Sequence, residues 1–170
     1  MAGVTEQIGV HRNTAQAAVT ALRAERMADV MEQRAVTAAQ AAAALGYPAG
    51  LTRRASIRAA AIVRGRPARP HLADVAQALH ARGWTTTHTP PIVLHPEDDA
   101  CVSALVLDSP TAPAGALVWS ERHGWRTSSS RRHPLGRGAA WPPPGPMVRH
   151  LATGTTPDPA DLVKALDSIS

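Results

Sequence analysis

Aromatic residues are scarce in this chain: there is no Phe, one Tyr and four Trp, 3% of 170 residues. Much of the 44% apolar content is therefore alanine, and a core built on alanine buries little area. The amino-terminal half should be only marginally stable by itself. A single cysteine, Cys101, excludes a disulfide framework within the chain and fits a reducing compartment. It lies in the apolar run Cys101-Val102-Ser103-Ala104-Leu105-Val106-Leu107, where a small buried hydrophobe is expected. No stretch approaches the ~20 apolar residues of a membrane span, and the amino terminus lacks the charged-then-apolar layout of a signal peptide. A cytoplasmic protein without membrane contact is the expectation.

Acidic residues are missing where basic ones gather. Between Gln33 and His71 there is no Asp or Glu, whereas Arg53, Arg54, Arg58, Arg64, Arg66 and Arg69 fall within 17 positions. Residues 1–70 carry ten Arg against four acids, and residues 71–170 carry eight basic residues against nine acids. The composition, 17 Arg to one Lys with abundant Ala and Pro, is that of a high-GC genome. The placement of the arginines therefore bears on function more than their number. A cationic helical segment attracts polyanions, and phosphate contacts supply most non-specific affinity for DNA.

The expected fold class is α+β, a helical amino-terminal segment followed by a small antiparallel sheet packed with helices. Three parts are expected: a basic helical segment at 1–64, a linker at 65–70 and an α+β domain at 71–170. Val4 to Leu45 is rich in strong helix formers. A break is expected at Gly9-Val10-His11, with Asn13 or Thr14 capping the next helix, and another near Ala35-Val36-Thr37. Thr37 would cap a short helix ending at Gly46. Leu51 to Val63 repeats a helical pattern with Ile57, Ala61 and Ile62 as its apolar stripe. Two prolines in Gly65-Arg66-Pro67-Ala68-Arg69-Pro70 predict an irregular connection. His71 to Arg82 reads as an amphipathic helix facing inward with Leu72, Val75, Ala76 and Leu79. Strand-like runs cover 84–88, 91–95, 101–108, 116–120 and 125–129, with a hairpin turn at Glu121-Arg122-His123-Gly124. Short helices are expected at 147–151 and 159–166, the latter with Asp158 at its start.

The run Val4-Thr5-Glu6-Gln7-Ile8-Gly9-Val10-His11-Arg12-Asn13-Thr14, followed by Ala17, Ala18, Leu22 and Met27, resembles the helix-turn-helix of the GntR-like winged-helix repressors. That resemblance implies that Arg12, Asn13, Thr14 and Gln16 face DNA, with Arg12 and the capping residues on phosphate and Gln16 reading a base. Arg53, Arg54, Arg58, Arg64 and Arg66 would add electrostatic affinity. The run Ala116 to Thr127, the Arg131-Arg132-His133-Pro134-Leu135-Gly136 segment and the closing Trp141-Pro142-Pro143-Pro144 resemble an actinobacterial domain family of uncharacterised function. The resemblance covers about 71–168 and implies a fold rather than an activity. In this half Trp119, His123, Trp125 and Arg126 form the expected partner-binding surface.

No catalytic signature is apparent. Ser120, Glu121 and His123 share a tight turn, which points neighbouring side chains apart and exposes them to water. The histidines match no metal-ligand spacing, and His95-Pro96-Glu97-Asp98-Asp99 reads as an acidic loop. Neither a metal nor a cofactor is expected. The functional expectation is a non-enzymatic, DNA-associated regulatory protein whose α+β domain binds a partner or mediates homodimer formation. The alternative is a protein-interaction or dimerisation module that does not bind DNA.

Overall fold

A computed structural model describes residues 3–95, 99–136 and 141–169, with side chains from Thr14 onward except that of Leu51. The chain forms two compact units, Met1–Arg64 and Gly65–Ser170.

Among the described residues the elements of the first unit are all helices, with α1 at Gly3–Arg34, α2 at Ala38–Ala44 and α3 at Ala49–Gly65. α1 runs unbroken across Gly9, so the turn expected at Gly9-Val10-His11 is not formed. A mid-helix glycine costs only ~0.5–1 kcal/mol against alanine, which the Ala, Leu, Arg, Glu and Gln residues around it offset through their helix propensity. α1 gives way to Ala35, which adopts a left-handed φ of 51°. Thr37 then opens α2 with a capping box. Its hydroxyl accepts from the Gln40 amide at 3.3 Å, and its own amide donates to Gln40 Oε1 at 2.9 Å. The core comprises Ala24, Met27 and Ala28 from α1, Ala41 and Ala42 from α2, and Ala55, Ala59 and Ile62 from α3. Thr52, Ala55, Ala59 and Ile62 recur at helical spacing and face inward, which leaves Ile57 on the outer face, 51% exposed. The expected 57/61/62 stripe was thus placed partly on the wrong side.

In the second unit, residues 65–70 are not irregular. A 3-10 turn at Arg66–Ala68 leads directly into α4 at Arg69–Ala81, because Pro70 stands in the first turn of α4, where no amide is needed. Five strands follow in sequential antiparallel order: β1 (Ile92–His95), β2 (Ala100–Val106), β3 (Ala116–Ser120), β4 (Gly124–Ser128) and β5 (His150–Leu151). α5 (Pro159–Asp167) closes the unit, capped by Asp158, whose carboxylate accepts from the Ala160 amide at 2.8 Å. The α+β class is therefore present.

Alternate residues of the sheet, including Cys101, Leu105, Leu117, Trp119, Trp125 and Leu151, join Leu72, Val75 and Leu79 of α4 and Leu162 and Leu166 of α5 in one core. The opposite face is buried as well, at Val102, Val118, Ser120, Arg126 and Ser128. The chain after β4 helps to cover it: the Arg126 guanidinium donates to the carbonyls of Pro134 and Leu135, each at 3.3 Å. Burial on both faces is why the strands read as apolar runs rather than alternating ones.

Two further elements of this unit differ from expectation. Residues 84–88 form a loop, because threonine hydroxyls and a carboxylate satisfy the backbone groups a strand would have paired. The Thr87 amide donates to Thr85 Oγ1 at 3.1 Å, and the Thr86 amide to Asp108 Oδ2 at 3.1 Å. Residues 147–151 pair with β4 instead of coiling. The Ser129 amide donates to the Met147 carbonyl at 3.0 Å and the Thr127 amide to the Arg149 carbonyl at 2.8 Å, so tertiary pairing outweighs local propensity.

Candidate nucleic-acid interface

The inward spacing of α3 decides where its arginines go. With Thr52, Ala55, Ala59 and Ile62 buried, Arg53, Arg54 and Arg58 stand on the exposed side, with Ile57 among them. Arg54 and Arg58 are one helical turn apart and share a face. Together with Gln16, Ala17 and Thr20 of α1 they line a cleft of about 440 Å³. Two guanidiniums, a carboxamide and a hydroxyl thus border one concave surface whose described lining holds no carboxylate. The Thr20 hydroxyl donates to the Gln16 carbonyl at 2.8 Å, which leaves its oxygen lone pairs toward an incoming donor and the charge to the two arginines. Planar guanidiniums of this kind suit phosphate oxygens bidentately.

The structure unites some of the expected DNA-binding residues and separates others. Gln16, Arg54 and Arg58 meet at the cleft, and Arg53 lies on the adjoining exposed surface. Arg12 and Asn13 belong to α1, but their side chains lie outside the described residues. Thr14 is exposed within the same continuous helix and caps no helix start. Arg64 is exposed in the last turn of α3, whereas Arg66 belongs to the 3-10 turn of the other unit. Thr20 and Ala17 were not anticipated. The signal available was the four-residue spacing of Gln16 and Thr20, which places them on one face of the helix expected after Asn13 or Thr14.

The expected partner surface around the hairpin is not available. Trp119, Trp125 and Arg126 are 3%, 0% and 1% exposed, so three of its four members are core. Trp119 and Trp125 are direct cross-strand partners on the inner face, and Trp119 Nε1 donates to the Thr155 carbonyl at 2.8 Å. The His71 and Trp125 rings meet in an edge-type arrangement with centroids 5.9 Å apart and planes inclined at 67°. Burial lowers the His71 pKa, partly opposed by Asp74. It also lowers that of Arg126. His123 alone is exposed, stacked on Trp141 at 5.2 Å, and Trp141 in turn stacks on His150 at 4.8 Å. An apolar cleft of about 290 Å³ lies elsewhere in this unit, lined in part by Pro91, Val93, Ala104, Pro134 and Leu135.

The polar atoms of the hairpin turn go to separate partners. Glu121 Oε1 accepts from the Cys101 amide at 2.8 Å, Ser120 Oγ accepts from the Arg122 amide at 3.3 Å, and His123 stacks on Trp141. Cys101 itself is fully buried and outside any disulfide. Among the described residues no three or more His, Cys, Asp or Glu side chains gather as a metal site, and residues 96–98 of the expected acidic loop lie outside them. Among the described residues no helix is long and apolar enough to cross a membrane. Comparison with family models, curated proteins and solved structures found no match.

Proposed function

We propose that this chain is a non-enzymatic, DNA-associated regulatory protein of the cytoplasm. The exposed face of α3 and the adjoining part of α1 engage the phosphate backbone, and the α+β unit serves a partner or a second copy. The observation that carries the reading is the cleft where Arg54 and Arg58 face Gln16 and Thr20 with no carboxylate among the described lining residues. In this reading Arg53, Arg54 and Arg58 supply affinity through counterion release, and Gln16, a side chain able to pair with adenine, supplies base preference. The arginines of this face carry charge rather than base-specific hydrogen-bonding patterns, which favours backbone contact over deep groove reading.

The test is fluorescence anisotropy of a mixed-sequence duplex titrated with the intact chain and with an Arg53/Arg54/Arg58→Ala variant. Three phosphate contacts predict a salt slope of about −2.7, or roughly a 40-fold loss of affinity between 50 and 200 mM salt. The variant should lose both binding and slope. Absence of binding by the intact chain at low salt would overturn the reading in favour of a protein-interaction module, for which the apolar cleft at Pro91, Val93 and Leu135 is the first docking point to probe.

A further inference from the structure

The last turn of α4 and the loop after it bring two histidines together. His80 and His88 are both exposed, and their ring centroids are 4.6 Å apart with planes inclined at 54°. We propose that this pair binds a divalent late transition-metal ion of the zinc or copper type, in the second unit and independently of any DNA contact.

Three features support the assignment. First, His80 Nδ1 lies 3.0 Å from the Thr85 carbonyl oxygen, which can only accept, so Nδ1 carries the ring proton and Nε2 presents the lone pair. An imidazole held by a backbone carbonyl through one nitrogen and coordinating through the other is the usual second-shell arrangement of a metal-bound histidine. Second, the spacing suits one ion. With metal–nitrogen bonds of about 2.0–2.1 Å, two imidazoles on a single ion at angles between square and tetrahedral place their centroids roughly 4.5–5.2 Å apart. Third, the start of the loop that leads to His88 is tied down before the metal arrives. Thr85 Oγ1 donates to the Val106 carbonyl at 2.7 Å, Thr86 Oγ1 donates to Asp108 Oδ2 at 2.6 Å, and the Trp84 carbonyl accepts from the Asp108 amide at 2.7 Å. The ordering left to binding is then mainly that of the exposed His88 side chain.

Ligand chemistry selects the ion. Two neutral imidazoles favour zinc, copper or nickel over magnesium or calcium, which require oxygen ligands. Water completes the shell, so the ion exchanges readily, and when bound it clips the end of α4 to the loop.

The experiment is isothermal titration of the full-length, tag-free chain with Zn²⁺ alone and, separately, with Mg²⁺. Wild type should show one saturable Zn²⁺ event at micromolar concentration and none with Mg²⁺. His88→Gln and His80→Gln should each weaken Zn²⁺ binding by roughly tenfold or more, with circular dichroism unchanged. His150→Gln, which alters the stacked histidine remote in sequence, should titrate as wild type. The proposal is overturned if His88→Gln binds Zn²⁺ like wild type, if the loss follows His150→Gln instead, or if wild type shows no saturable event below millimolar metal. His88 lies on an exposed loop, so its variant keeps the test decisive even if His80→Gln disturbs α4.

Discussion

The two units solve the same packing problem with different materials. The first buries Ala24, Ala28, Ala41, Ala42, Ala55 and Ala59 around Met27 and Ile62, while the second buries Trp84, Trp119 and Trp125 among eight leucines. A buried aromatic removes roughly 150–250 Å² from water, worth about 4–6 kcal/mol as an upper estimate, and a buried alanine removes only a fraction of that. The alanine core draws helices close but keeps little stability in reserve. It also leaves the long side chains to the surface, so the unit with the thin core carries the basic face.

The sharpest way to break this comparison uses the fact that all four tryptophans lie in the second unit. Trp125→Ala should cost about 3–5 kcal/mol and shift the urea midpoint read by tryptophan fluorescence. A loss under ~1 kcal/mol would mean that the sheet core is not organised around that ring. Met27→Ala should cost about 2–5 kcal/mol in the first unit, appearing as lost helical circular dichroism with the tryptophan transition unmoved. A shift of both signals together would show that the two units unfold as one. Thr37→Ala removes the capping hydroxyl of α2 and should cost about 1 kcal/mol, while Thr37→Ser should restore most of it.

The smallest expected effect is on pH. Burial holds the His71 pKa below its ordinary value of about 6.5, so the unfolded chain takes up that proton first as pH falls. Second-unit stability should therefore be full above about pH 6.5 and decline below it, down to the lowered folded value. Asp108 works in a different window. The Thr86 hydroxyl, then its amide, lower the Asp108 pKa, so its contribution is lost only as pH falls below about 4 toward the lowered value. Fluorescence-detected melts between pH 8 and 5 should show the His71 decline, and His71→Gln should flatten it.

Much of this architecture could be read from local chemistry. Thr37 announces a helix start, and the structure forms that cap and adds the reciprocal Gln40 bond. Leu72, Val75, Ala76 and Leu79 mark one face of α4 by spacing, and all four are buried. Strands at 92–95, 100–106, 116–120 and 124–128 follow from short apolar runs between turn signals. The failures have a common physical origin. Gly9 invited a turn, but the residues on both sides favour helix and nothing opposes them. The Trp119 and Trp125 hairpin suggested a docking surface because a hairpin sequence does not say which face of its sheet meets helices. The 57/61/62 spacing puts Ile57 on an inward stripe, whereas the packing of Ala55, Ala59 and Ile62 turns it outward.

The sequence by itself determined the division into a helical basic part and a mixed part, the excess of arginine over acid before residue 70, and the helices whose caps and periodicity are local. Those properties depend on neighbours within a few positions, which any reading along the chain can see. Only the tertiary structure decided that Gln16 and Thr20 meet Arg54 and Arg58, that His80 meets His88, and that both faces of the sheet are covered. The groupings of α1 with α3 and of the sheet with its covering chain depend on where distant segments return to one another, and the burial of whole faces, which no local window contains, sets that return; the His80–His88 pair depends instead on the shape of the short turn that ends α4.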